Sequence, residues 1–343
     1  MSKSIVFAHK QKIAFVASGG AVKAACFHIG VCLALERKGI HFWGGTLKQK
    51  KGESPPAPFI NTYVGSSAGS IIASFLASGY TLSEIIQSFL DSRKEKKKFP
   101  KMGYTDLFHI VRPQFRFTKY FQSLWERKKA LASGGFEAFI KNHLVLGGVF
   151  TTTGIEKYLR EKALPSNKFE DLVSDLFVVA TQLDYSRKSI FSKYKNLKPR
   201  PEHQAVYDSS VKISEACAAS TALPPIYHPY PLKVDGETVY YYDGEIRETL
   251  STHVAKDIGS DLVIASYTHQ PYHFRPEVGS LADYGITHVM IQAIYQAVEQ
   301  KIHTSRRLWQ NKKIALETVN QFFKDAGLAD SKRAELCALL EEK

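Results

Sequence analysis

Phe59-Ile60-Asn61-Thr62-Tyr63-Val64-Gly65-Ser66-Ser67-Ala68-Gly69-Ser70-Ile71-Ile72-Ala73-Ser74-Phe75-Leu76-Ala77 decides how the chain is read. A largely apolar, β-prone run leads into a turn of small residues, and a helix-prone run follows at once. This is the strand–turn–helix setting of a nucleophile elbow, G-x-S-x-G, whose strained turn holds a serine hydroxyl out toward a substrate. Gly65 and Gly69 let the backbone pass close to its neighbours. Ser67 is the expected nucleophile, and its partners must come from elsewhere in the chain.

Outward from the elbow, strands and helices alternate. Toward the N-terminus, Ile13 to Val16 reads as a strand and Ser18-Gly19-Gly20-Ala21 as a loop. A helix carrying Ala25, Cys26, Ile29, Val31, Cys32, Leu33 and Leu35 follows and stops at Gly39. Residues 44–56 are a loop by their Gly, Pro and Lys content. Toward the C-terminus, Leu176 to Thr181 is a buried strand, Ile190 to Tyr194 another, and Ser214 to Ser220 a small-residue helix ending before Pro224-Pro225. Lys233 to Tyr242 is a hairpin turning at Asp235-Gly236, and Leu262 to Ser266 is a further strand. The spacing of Ile286, Val289, Met290, Ala293, Ile294 and Ala297 predicts an amphipathic helix. Strands separated by helices predict an α/β fold, a sheet under helices.

Composition limits the function classes. The 343 residues are 44% hydrophobic and 12% aromatic, enough for a packed core and against disorder. Cys26, Cys32, Cys217 and Cys337 show neither CxxC nor metal-ligand spacing, and their apolar settings predict reduced core residues. No run approaches the ~18 apolar residues of a membrane span. The stretch Ile13 to Ser18, after Lys3, Lys10 and Lys12, falls short of the ~7-residue apolar core of a signal peptide and reads as a first strand. The expectation is a cytoplasmic protein, peripheral at membranes. A formal net charge of +13 favours a polyanion, either a membrane surface with acidic lipids or nucleic acid, over a plain solvated surface. Between Asp91 and Lys129 basic residues interleave with aromatics, among them Phe115, Tyr120 and Trp125. Such a segment suits a lid or membrane-facing cap; the alternative is an ordinary insertion with core aromatics and solvated lysines.

Acyl transfer needs a nucleophile, a base and donors for an oxyanion. The loop Ser18 to Ala21 lies between a strand and a helix, so its amides suit the oxyanion. As a dinucleotide loop it is weak: Gly19, Ala21 and Ala24 give only a degraded GxGxxG, and Glu36 comes too early for a ribose ligand. For the base two readings stand. The order Ser67, Asp243 and His253, His269 or His288 is nominally that of an α/β-hydrolase triad, although that fold places several strands ahead of its serine and only two precede Ser67 here. The other is a Ser–Asp dyad, for which Tyr242-Asp243-Gly244 offers an aspartate at a strand end.

The glycine-rich loop, the early GxSxG elbow and the late Asp-Gly resemble the patatin-like phospholipases, a likeness running from about Ile13 to about Ser266. It takes in the strand at Ala180-Thr181 and the small-residue helix before proline. The resemblance implies a three-layer α/β sandwich with a mostly parallel central sheet, residues 1–280 forming the catalytic domain with the basic, aromatic insertion at about 91–150, and 281–343 a helical extension packed on it. It implies Ser67 as nucleophile, Asp243 as base, Gly19, Gly20 and Ala21 as oxyanion loop, and Lys23, Gly65, Gly69 and Gly244 as motif positions. Asp235, the competing Asp-Gly, is read as a turn residue. Three positions depart from the family pattern. Ala21 stands for a glycine, which a negative φ would tolerate; Ala24 stands for another. Glu245 replaces a small residue, and its charge is expected to raise the pKa of Asp243. The implied activity is hydrolysis of glycerolipid or phospholipid esters through an acyl-enzyme at an anionic membrane surface, with no cofactor, metal or nucleic acid. The other readings are a catalytically inactive basic binding module and a Ser-His-Asp hydrolase.

Overall fold

The computed structural model describes residues 10–90, 97–110, 148, 150–195, 197–198, 204–247, 249–268, 270–326 and 330–342. Its strands are β1 (Ile13–Ala17), β2 (His41–Phe42), β3 (Phe59–Ser66), β4 (His109–Ile110), β5 (Phe150–Thr151), β6 (Asp175–Gln182), β7 (Lys188–Phe191), β8 (Ala205–Asp208), β9 (Tyr230–Val234), β10 (Glu237–Asp243) and β11 (Leu262–Ser266). Its α-helices are α1 (Ala21–Arg37), α2 (Ala68–Ala77), α3 (Leu82–Phe89), α4 (Tyr104–Leu107), α5 (Thr153–Tyr158), α6 (Ile213–Ser220), α7 (Thr252–Asp257), α8 (Ile286–Asp325) and α9 (Asp330–Glu342).

A nine-stranded sheet runs β11-β1-β3-β6-β10-β9, with β2 beside β3 and β7 joining β6 to β8; β4 and β5 pair separately. The central ladders β11–β1, β1–β3 and β3–β6 are parallel, and β10 closes on β6 antiparallel. The sheet is mostly parallel with helices on both faces, as the sequence predicts. The reason is visible in β1, where every residue is buried. Successive side chains of a strand point to opposite faces. Ile13, Phe15 and Ala17 enter one core with Ile29 and Cys32 of α1, and with Ile72 and Phe75 of α2. Ala14 and Val16 enter a second core with Phe177, Val179 and Val254 of α7. Phe15 is wholly enclosed, and burying such a side chain contributes roughly 1.5–3 kcal/mol.

Register then sets the site. Ala17 is level with Gly65 on one side and Ser266 on the other, Ser66 with Val179, and Ala180 with Asp243. The loop after β1, the serine after β3 and the aspartate ending β10 therefore meet at one edge, where the carboxyl ends of parallel strands commonly hold ligands. At the far end of β10 the hairpin turns through Asp235 and Gly236, both at positive φ (50° and 85°), the primed turn that Asp-Gly favours. Asp235 is thus the turn residue.

Other expectations change. Cys26 is exposed and Cys337 half-buried, so only Cys32 and Cys217 are core cysteines. The apolar stripe predicted on α8 does not face the body: Ile286, Val289 and Met290 are exposed. The helix is seated instead by Val298, by Gln292 bonded both ways to the Tyr272 backbone, and by the Lys301 ammonium donating to the Ile246 carbonyl (2.8 Å). Polar anchors, not the longest apolar stripe, fix its rotation. Most of the basic, aromatic segment, with Phe115, Tyr120 and Trp125, lies outside the described residues; within its described part Phe99 is buried against Phe75 and Tyr80. No described helix is long and apolar enough to cross a membrane.

Candidate active site

Ser67 caps α2 with φ 52° and ψ −130°, a left-handed conformation that costs a non-glycine residue about 1–3 kcal/mol. The turn is held rather than merely tight. The Ser67 amide donates to Ser220 Oγ of α6 (2.7 Å), and that hydroxyl donates to the Val179 carbonyl of β6 (2.6 Å). A Cβ on Gly65 would lie 2.5 Å from the Gly69 carbonyl oxygen, and one on Gly69 2.3 Å from that of Ala17. Both elbow glycines are therefore required by close approach.

Asp243 is buried at the end of β10, where the Ser67 hydroxyl favours its charged form. The Glu245 amide donates to Asp243 Oδ1 (2.9 Å), and the Asp243 amide is held by the Ala222 carbonyl (3.1 Å). Gly244 lets this segment lie on β6, since a Cβ there would come within 2.2 Å of the Val179 oxygen. Burial pushes Asp243 up to about 6, against the bonds from Ser67 and the Glu245 amide, which favour its charge. The cause differs from the one expected: burial, not the Glu245 charge, raises Asp243, and the Glu245 backbone pulls the other way.

The loop after β1 lies against the serine. A Cβ on Gly19 would be 2.7 Å from Ser67 Cβ, 3.2 Å from Ser67 Oγ and 2.9 Å from Glu245 Cγ. Gly20 (φ 127°) approaches Thr268, whose hydroxyl donates to the Gly19 carbonyl (2.9 Å). Ala21 sits at φ 55°, so the negative φ that would excuse its side chain is not adopted. The left-handed region costs an alanine roughly 1–2 kcal/mol. Lys23 is exposed on the first turn of α1. Ala24 is buried beside Gly20.

Four residues that hold this arrangement carry no sequence signal of doing so: Ser220, His28, Ser266 and Thr268. His28 is buried on α1, with Nε2 2.8 Å from the Ser18 carbonyl and Nδ1 2.7 Å from Ser266 Oγ. A carbonyl only accepts, so Nε2 carries the proton and Nδ1 accepts from the serine hydroxyl. Burial lowers the His28 pKa and keeps this neutral form.

Two of the triad reading's three candidate histidines engage other groups. His253 Nε2 lies 3.1 Å from the buried Lys188 ammonium, and His288 is exposed, with Nδ1 on the Tyr284 carbonyl. His269 lies outside the described residues. Ser67 and the Glu245 amide favour the charged Asp243 carboxylate, and its charge is felt by Tyr295 of α8. Among the described residues no group of three or more His, Cys, Asp or Glu is arranged to hold a metal ion.

Residues 15–256 match the family model described as patatin-like phospholipase. No curated protein sequence matches the chain. Among solved structures it is similar to the crystal structure of VipD from Legionella pneumophila, at 15% identity and a TM-score of 0.34, over 78% of this chain and 51% of that one. The chain thus spans about half the length of that protein.

Proposed function

Because the chain belongs to the patatin-like phospholipase family, we propose that it is a lipid acyl hydrolase of phospholipase A or lysophospholipase type that works through a Ser67–Asp243 dyad. The observation that carries this reading is the Ser67 hydroxyl acting on the buried Asp243 carboxylate, with the Gly19 backbone pressed against the serine. Asp243 takes the hydroxyl proton as Ser67 Oγ attacks the ester carbonyl. The oxyanion forms beside the amides of Gly19, Gly20 and Ala21, where each donor is worth about 2.7–4 kcal/mol. Collapse expels the alcohol, which takes the proton from Asp243. Water, deprotonated by the same carboxylate, then releases the fatty acid.

A carboxyl raised to about 6 suits this role: it is ionised at neutral pH yet more basic than an ordinary aspartate. Residues 1–280 act as the catalytic unit and 281–343 as a helical extension, a division supported by the contacts of α8 with the segment after Asp243. The basic surface meets an anionic membrane, where the substrate resides.

Ester hydrolysis and fluorophosphonate labelling test the dyad. Ser67→Ala abolishes both, Asp243→Asn lowers hydrolysis at least ~10³-fold, and His253→Ala and His288→Ala stay active. Activity retained in Ser67→Ala and Asp243→Asn overturns the dyad. Absence of labelling in the wild type replaces it with a catalytically inactive binding module.

A further inference from the structure

Away from the dyad, α8 crosses the edge strand β11, and two adjoining clefts open along it. One, of about 610 Å³, is lined by Lys256 of α7 and by Arg306 and Trp309, with Val263 and Ala265 of β11 as an apolar wall. The other, of about 480 Å³, is lined by His303, Arg306 and Arg307. Arg306 belongs to both and is steadied over the Tyr267 ring at 5.1 Å. Among the described residues no acidic side chain lines either cleft; Glu299, one turn before His303, lies 3.9 Å from it. Leu308 and Trp309 are each 63% exposed beside these cations.

Cations lining adjoining clefts that no described acidic side chain lines call for an anion, and arginine forks fit the oxygens of a phosphate. Lys256, Arg306 and Arg307 together match a multiply charged group better than a single charge; a phosphate monoester carries about −1.5 to −2 at pH 7. The larger volume is that of a headgroup-sized ligand. Trp309, lining the larger cleft yet largely exposed, selects the source, because an exposed tryptophan beside arginine and lysine belongs at a lipid–water interface. From these features we propose that the clefts form a second ligand site, separate from Ser67 and Asp243, that binds the phosphate-monoester headgroup of an anionic lipid. The clefts share no lining residue with the dyad, and Arg306 follows by five residues the Lys301 that bonds the Ile246 carbonyl.

The test uses the full-length Ser67→Ala protein, so no ligand is consumed and the result does not depend on hydrolysis. Co-sedimentation is measured with phosphatidylcholine vesicles carrying a phosphatidylinositol phosphate, or phosphatidylserine at equal surface charge. The expected result is about tenfold tighter binding to the monoester vesicles. Arg306→Gln with Arg307→Gln removes that preference while the thermal melt is unchanged. Lys168→Gln with Lys233→Gln, elsewhere on the surface, leaves it intact. Should the arginine pair not fold, Lys256→Gln on the facing wall gives the same reading. Equal binding to both vesicles, equal losses in both double variants, or binding of soluble inositol phosphate without vesicle binding overturns the proposal.

Discussion

Asp243 is pushed up to about 6 by burial, and two opposite pH dependences follow. As the proposed base it must be ionised, so kcat/KM is expected to rise with pH through about 6 and level above it, which a pH–rate profile measures. Stability runs the other way. The folded carboxyl holds its proton more tightly than the unfolded one, so this contribution is complete below the ordinary aspartate range and is lost as pH rises toward 6. It amounts to roughly 3 kcal/mol. Urea midpoints of wild type and Asp243→Asn across that window show it, since the variant loses the pH dependence. Gly19 supplies a steric counterpart. A methyl there would push on Ser67 Cβ and Glu245 Cγ at under 3 Å. Gly19→Ala is expected to cut kcat about 10²-fold while circular dichroism stays native, because a displaced nucleophile costs rate before it costs fold.

Between elements, His28 does what no single strand or helix can. It ties α1 to the loop after β1 through Ser18 and to β11 through Ser266, partners 10 and 238 residues away. His28→Ala leaves a cavity and removes both bonds, for a loss of roughly 3 kcal/mol. It is also expected to lower kcat more than it raises KM, because the proposed oxyanion loop is loosened while the surface proposed to meet lipid is not. Calorimetry and steady-state kinetics separate the two effects. The limits of sequence reading lie here as well. The elbow, the hairpin and β11 were legible because each is written in consecutive residues: a small-residue turn, Asp-Gly, an apolar run. A lone histidine in an apolar helix announces nothing, and neither does the last serine of a small-residue helix such as Ser220. Their roles exist only once β11 lies beside β1 and α6 beside the elbow.

At the scale of the molecule, a mostly parallel sheet was legible but its strand order was not, and it is the order that brings Ala17, Gly65, Ser266 and Val178 level at the candidate site. The seating of α8 was not legible, because the apolar stripe in its sequence is a different face from the one held by Gln292, Val298 and Lys301. That helix spans 40 residues without interruption. It touches the segment after Asp243 at Lys301 and lines the basic clefts at Arg306. A continuous helix turns about 100° and advances about 1.5 Å with each residue. Removing one residue between Lys301 and Arg306 would therefore swing the arginines a quarter-turn or more away from Lys256 while Lys301 stayed on the Ile246 carbonyl. The spacing along α8 works like the phase of a screw thread. Side chains on its exposed side are open to exchange, but the count of residues between its two contacts is fixed.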